Sequence, residues 1–324
     1  MLFNSYIFLF VFLPIVLVGW WRLAGFTRLR LLWLTLASYV FYAYYQFPNG
    51  LELLPLLLVS TTSDFIAGRG IVRSVDPKVR KRWLAFALTI NLGLLFTFKY
   101  LGFFESIVNG VFALGGVPID VPVHTLILPI GISFYTFNSM SYTIDIYRGR
   151  VEQAPTFLHY SAFVALFPHL VAGPIVRFSD IDQQLRNLKT KLTSGMFASG
   201  LFFLTCGLVK KLLFADTLSR TVDRLYLSHE HLSVISGWGA AIGYSLQLYF
   251  DFSGYSDIAI GLALMMGLKF PQNFASPYKS ANISETWRRW HITLSRWLRD
   301  YLFIPLGGSS GSRLRTVRNL YICL

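Results

Sequence analysis

The sequence predicts an all-α, polytopic transmembrane protein, and three observations carry that prediction. The 324 residues are 54% hydrophobic, 17% aromatic and only 14% charged, with a mean hydropathy of +0.52. Several uncharged runs approach or exceed the roughly 20 residues a helix needs to cross a bilayer. The net charge of +13 sits in short connectors between apolar runs, the positive-inside pattern of cytoplasmic loops. That distribution argues against nucleic acid as a partner and for the lipid bilayer. The two cysteines, Cys206 and Cys323, lie in apolar sequence and make no disulfide framework.

Leu2 to Trp21 reads as the first span, mildly interrupted by Pro14, without the basic n-region of a cleavable signal. Arg22, Arg28 and Arg30 place the next connector in the cytoplasm and the N-terminus outside. Leu31 to Gln46 crosses back, with Trp33, Tyr39, Tyr42, Tyr44 and Tyr45 as interfacial aromatics, and Pro48-Asn49-Gly50 makes a tight external turn. Leu51 to Ala67 returns inward, with Glu52 near one end and Asp64 near the other. Arg69 to Arg82 then holds six basic residues against one acid, Asp76, and is the clearest cytoplasmic marker.

Trp83 to Phe98 goes out again. The Gly-rich stretch Tyr100 to Asp120 leaves a short span, a re-entrant piece and an external cap all open. Val121 to Ile144 is broken by Pro122 and Pro129, and Asp145 marks its end. Ala154 to Val176 is apolar yet contains His159, Pro168, His169, Gly173 and Pro174. Irregular backbone at membrane depth survives only inside protein or beside water, so this run is expected to line a cavity. Arg177 to Lys191 is a polar connector, Leu192 to Val209 a cleaner span closed by Lys210-Lys211, and Asp216 to His231 polar again. Leu232 to Phe250 and Asp251 to Leu268 complete a count of roughly eight or nine spans.

Residues 282–304 read as one amphipathic interfacial helix. Asn282 and Glu285 form an N-cap and its capping-box partner. At 100° per residue, Trp287, Trp290, His291, Leu294, Trp297, Leu298 and Tyr301 share an arc of roughly 120°. Arg288, Arg289, Arg296 and Arg299 occupy the far side, facing headgroups or an anionic ligand. Pro305 and Gly307-Gly308 stop the helix.

His291 is the sharpest chemical candidate, because a neutral imidazole can take a proton from a hydroxyl as that oxygen attacks a thioester. His169, between Pro168 and a Gly-Pro pair, is a candidate cavity-lining residue. Asp251 and Asp257 lie in apolar sequence, where a carboxylate is costly. Six residues apart, they point about 120° away from each other, and one is expected to orient a histidine or pair with arginine. His124, His159, His229 and His231 carry no distinctive context. Arg288 and Arg289 suit phosphates or, equally, a positive face that fixes topology. Trp287 and Trp290 fit packing and interface anchoring better than a substrate platform. No metal-ligand spacing, nucleophile elbow, Walker loop or dinucleotide fingerprint occurs, so neither a metal nor a bound cofactor is expected.

The block WRRWHITLSRWLRDYLFIPLGG resembles the signature of the membrane-bound O-acyltransferase superfamily, most closely its alginate O-acetyltransferase branch. Leu128 to Gly149, Phe167 to Phe178 and Tyr249 to Tyr278 match the same branch in order. The resemblance implies a single transmembrane domain over 1–324 with re-entrant and interfacial helices around a transmembrane tunnel. It further implies a cytosolic thioester co-substrate such as acetyl-CoA, with periplasmic acetyltransferase partners and exopolysaccharide machinery at a bacterial inner membrane. His291 is then the companion active-site histidine. The residue usually taken as the base follows on a later hydrophobic helix, beyond Leu324, and the chain is expected to be a C-terminally incomplete member, inactive by itself. D-alanyl or peptidoglycan O-acyl transfer are the rivals within the superfamily. A transporter should show paired halves, which the sequence lacks, and a non-catalytic scaffold is the third reading.

Overall fold

The computed structural model describes residues 1–45, 48–116, 121–151, 153–188, 191–228 and 232–323, and among them every regular element is helical. A π-type turn at Phe8–Phe12 leads into α1 (Leu13–Arg22), followed by α2 (Thr27–Tyr45) and α3 (Gly50–Arg73). Next, α4 (Pro77–Leu95) continues through a π-type turn into α5 (Leu101–Leu114). The middle of the chain forms α6 (Ile132–Tyr147), α7 (Phe157–Val164), α8 (Phe167–Leu170) and α9 (Phe178–Arg186). Then α10 (Ser194–Val209) runs on through Lys210–Ala215 into α11 (Asp216–Leu227), and α12 (Val234–Met265) follows. The last elements are α13 (Ile283–Arg289), α14 (Ile292–Leu298) and α15 (Arg313–Cys323). Gly50–Arg73, Pro77–Leu114 and Ser194–Leu227 are each long and apolar enough to cross a membrane.

Several boundaries depart from the sequence reading, each for a local reason. The basic loop Arg69 to Arg82 shrinks to Ser74–Asp76, because Asp76 caps α4 by accepting from the Lys78 N–H at 2.8 Å and Pro77 takes the first helical position. Its cations therefore sit on two helix ends. Trp83 to Phe98 does not stop where expected but joins Leu101–Leu114 in one helical run of 38 residues. Conversely, Val121 to Pro129 is not helical, and α6 starts only after Gly131. Helix α9 lies inside the expected connector. The two spans expected over 232–268 are one helix, α12, since nothing in LYFDFSGYSD breaks an α-helical ladder. The irregular backbone expected over 154–176 is present as two short helices and non-helical residues. Gln46, Asp120, His229, His231 and Leu324 lie outside the described residues.

The helices divide into two compact units. One comprises Met1–Leu34, Ala172–Val176 and Asp180–Leu324; the other comprises Thr35–Val171 and Arg177–Ser179. In the second unit α3 packs on α4 and α6, around a core that includes Tyr142, Tyr160, Phe163 and Phe178. Gly131 is required here twice over. Its φ is +78°, and a Cβ would lie 2.3 Å from the Leu170 carbonyl.

In the first unit α10 and α12 pack closely along a glycine seam. A Cβ on Gly207 would meet the Gly254 carbonyl at 2.6 Å, and one on Gly254 the Gly207 carbonyl at 2.9 Å. Gly200 and Gly261 repeat the arrangement seven residues away on each helix, at 2.8 and 2.6 Å. Small residues at such positions let two backbones approach directly. The N-terminal helices anchor on the far end of α12, where Trp20 and Trp21 donate to the Met266 and Met265 carbonyls at 2.9 and 3.0 Å. Arg30 is not the solvated connector cation the sequence suggested. It lies in α2, fully buried over the Trp20 and Trp21 rings at 3.9 and 4.6 Å, a pair of cation–π contacts.

Candidate active site

The expected helix over 282–304 breaks at its centre. Its start is as read: Asn282 accepts from the Glu285 N–H at 2.9 Å, although Glu285 reaches back to the Ala281 N–H rather than to Asn282 itself. The helix ends at Arg289. Trp290 is extended, His291 takes φ +40°, and α14 begins at Ile292, followed by a π-type turn over Arg299–Phe303. A strap, Asn273 to Ala275, holds the break open, with Ile292 N–H donating to the Asn273 carbonyl at 2.9 Å and Ala275 N–H to the Arg289 carbonyl at 3.0 Å. The shared aromatic arc is lost as a result. Trp287 is 57% exposed, while Trp290 packs among Phe274, Tyr249 and Tyr278.

His291 is the polar centre of this region. Its Nδ1 lies 3.0 Å from Asn273 Oδ1, with the Phe252 ring edge-on at 4.7 Å and the Phe274 ring stacked at 6.3 Å. Asn273, fully buried, also contacts Ser256 Oγ at 3.0 Å, Thr293 Oγ1 at 2.9 Å and the Gly173 carbonyl at 3.4 Å. Thr293 Oγ1 accepts from the Ile175 N–H at 2.9 Å. His291 is outside the three long apolar stretches, and burial lowers its pKa to about 4. It is therefore neutral near pH 7 and able to accept a proton.

The other candidates separate. Asp251 and Asp257 pair with lysines, not with histidine or arginine: Lys211 Nζ bridges Asp251 at 2.6 Å and Asp216 at 2.8 Å, and Lys210 Nζ meets Asp257 at 2.5 Å. The sequence reading missed these partners because they lie on the neighbouring helical run, forty or more residues upstream. Arg289 is held by Glu285 at 2.5 Å and by the Ala275 carbonyl at 3.4 Å, whereas Arg288 is exposed. His169 belongs to the other unit. It is fully buried, with Nδ1 2.9 Å from Asn138 Nδ2 and Nε2 3.1 Å from the Phe163 carbonyl, so both ring nitrogens are engaged. That unit holds a second buried polar cluster, in which Asp64 accepts from Thr143 Oγ1 at 2.6 Å and Asn91 Nδ2 at 2.8 Å. Among the described residues, no group of three or more His, Cys, Asp or Glu is placed to hold a metal ion.

Comparison with known proteins gives concordant results. The pattern described as MBOAT, membrane-bound O-acyltransferase family, matches residues 148–324. The whole chain is 45% identical to a protein of Pseudomonas aeruginosa named "Probable alginate O-acetylase", covering 61% of that protein's length. It is 38% identical, over 99% of the chain, to the "Peptidoglycan O-acetyltransferase" of Helicobacter pylori, covering 65% of it. Over 56% of the chain it is 30% identical to the "Teichoic acid D-alanyltransferase" of Bacillus subtilis. The chain thus spans about 61% of the length of the first of these relatives.

Proposed function

We propose, proceeding from the fact that this chain belongs to the membrane-bound O-acyltransferase family, that the whole protein is a membrane O-acetyltransferase. It moves an acetyl group from a cytosolic thioester, acetyl-CoA in the first instance, toward the hydroxyls of an exported polysaccharide such as alginate. Transfer is direct or passes through periplasmic acetyltransferase partners and the exopolysaccharide machinery, at a bacterial inner membrane. The observation that carries the reading is 45% identity along the entire chain to a protein named as an alginate O-acetylase, against 30% over 56% for a D-alanyltransferase.

The site chemistry supports this reading. In the transfer the hydroxyl oxygen attacks the thioester carbonyl, the C–O bond forms, the C–S bond breaks, and the proton from the hydroxyl ends on the departing thiol. A neutral, half-buried imidazole such as His291 can accept a hydrogen bond from that hydroxyl and help orient it, the companion role that the resemblance implies. Arg288, exposed on α13, is the cation of its pair left to meet donor phosphates. The 38% identity to a peptidoglycan O-acetyltransferase makes a peptidoglycan hydroxyl the second acceptor to try.

The test is full-length protein in proteoliposomes with radiolabelled acetyl-CoA and either alginate or a peptidoglycan glycan as acceptor. Label should leave the donor and reach one glycan, and His291→Ala at equal membrane levels should lower the rate about 100-fold or more. Label that crosses still attached to its donor would point to transport instead. Full activity in His291→Ala would remove this residue from the site.

A further inference from the structure

The structure assigns Asn273 as the positioning residue that decides which nitrogen of His291 faces the reaction. This rests on the reading of His291 as an active-site residue, and it concerns a side chain eighteen positions away in sequence.

Two backbone groups beside Asn273 have fixed roles. An N–H can only donate and a C=O can only accept. One end of the Asn273 amide lies 3.4 Å from the Thr293 backbone N–H, and the other lies 3.4 Å from the Gly173 carbonyl. The end at Thr293 must therefore be Oδ1 and the end at Gly173 must be Nδ2. Turning the amide over, the ordinary ambiguity for an asparagine, would set two donors and two acceptors against each other. The Thr293 hydroxyl agrees, since it accepts from the Ile175 N–H and gives its own proton to Oδ1 at 2.9 Å.

His291 Nδ1 faces the same Oδ1 at 3.0 Å. An oxygen that can only accept requires a donor there, so Nδ1 carries the proton. A neutral imidazole has a single N–H, and Nε2 is left with its lone pair. Asn273 is fully buried, which keeps water from competing for Oδ1. Its own carbonyl also accepts from the Ile292 N–H, so one residue fixes both the ring and the backbone break beneath it. His291 thereby presents Nε2 as a hydrogen-bond acceptor at the site, the orientation its companion role requires. The reference point for this orientation is the non-helical segment around Gly173 and Ile175.

The tautomer is directly measurable. Full-length protein labelled with 15N-histidine in nanodiscs should show, at pH 7, a protonated Nδ1 and an unprotonated Nε2 for His291. The signal is identified by its loss in His291→Asn. In Asn273→Ala that preference should disappear, and kcat for acetyl transfer should fall about 10- to 100-fold while KM changes less than about threefold. An Nε2–H tautomer in the unmodified protein would overturn the assignment, with no variant needed, and so would an unchanged tautomer in Asn273→Ala. The two readings fail separately. The Nδ1–H form without any transfer sinks the acetyltransferase reading alone, and transfer that depends on His291 in its Nε2–H form sinks the role of Asn273 alone.

Discussion

His291 meets an amide and two aromatic rings, Phe252 and Phe274, and that uncharged setting has a consequence for stability. Its folded pKa of about 4 lies below the ordinary value near ~6.5. Protonation therefore favours the unfolded chain. The contribution is complete above about pH 6.5 and is lost as pH falls toward about 4, on the order of 3 kcal/mol. We expect the unmodified protein to lose more thermal stability between pH 7 and pH 4.5 than His291→Asn, whose amide keeps the contact with Asn273 but does not titrate. Parallel melting-temperature curves would refute the half-buried neutral histidine. The candidate itself was legible in sequence, as a lone histidine among tryptophans. Asn273 was not, although it stands inside PQNFASPY, because its relation to His291 follows no helical period and is made by a strap crossing a helix break. The lysine partners of Asp251 and Asp257 were hidden in the same way: a carboxylate in apolar sequence announces that it needs a partner but not which helix supplies one.

Between elements, the glycine seam of α10 and α12 makes the sharpest prediction. Gly207→Ala puts a methyl 2.6 Å from a carbonyl oxygen, and such overpacking costs about 1–3 kcal/mol. Gly237 is on the same α12 with nothing within 4 Å, so Gly237→Ala should be neutral or stabilising by up to about 1 kcal/mol. Thermal unfolding in one detergent should come earlier for Gly207→Ala and no earlier for Gly237→Ala. A Gly207→Ala protein as stable as the unmodified one would mean the helices do not meet there. Hydropathy located α10 and marked the stretch of α12 as apolar but did not show the seam, since a glycine is read as a breaker until a neighbouring backbone is seen against it. The same limit explains α12 itself. Two spans were expected, meeting between Phe250 and Asp251, yet Asp251, Ser253 and Ser256 occupy one unbroken helix whose Asp251 and Ser256 meet partners on other elements. The helix over 282–304 failed in the other direction: its period was regular, yet it breaks at His291, where residues 273–275 hydrogen-bond to the backbone on either side.

At the scale of the molecule, orientation in the membrane follows from one helix. α3 runs from Gly50 to Arg73, 24 residues or about 36 Å at the helical rise, enough for a hydrocarbon core of about 30 Å. Charge is divided unevenly between its ends. Arg69 and Arg73 close it, and Lys78, Arg80, Lys81 and Arg82 open α4 just beyond, with Asp76 the single acid between them. The other end carries Pro48, Asn49 and Gly50, and Glu52 is its nearest charge. Although the intervening loop is only three residues, the cations at the paired helix ends lie within the range over which the positive-inside bias acts. The Ser74 end should therefore face the cytoplasm and the Asn49 end the outside. With Cys206 and Cys323 first replaced by alanine, Asn49→Cys and Ser74→Cys would be exposed to a membrane-impermeant thiol reagent in cells whose inner membrane is intact. Asn49→Cys should label at once, and Ser74→Cys only after that membrane is opened. The reverse order would invert the topology and, with it, the side on which α3 and α4 bring their cations together.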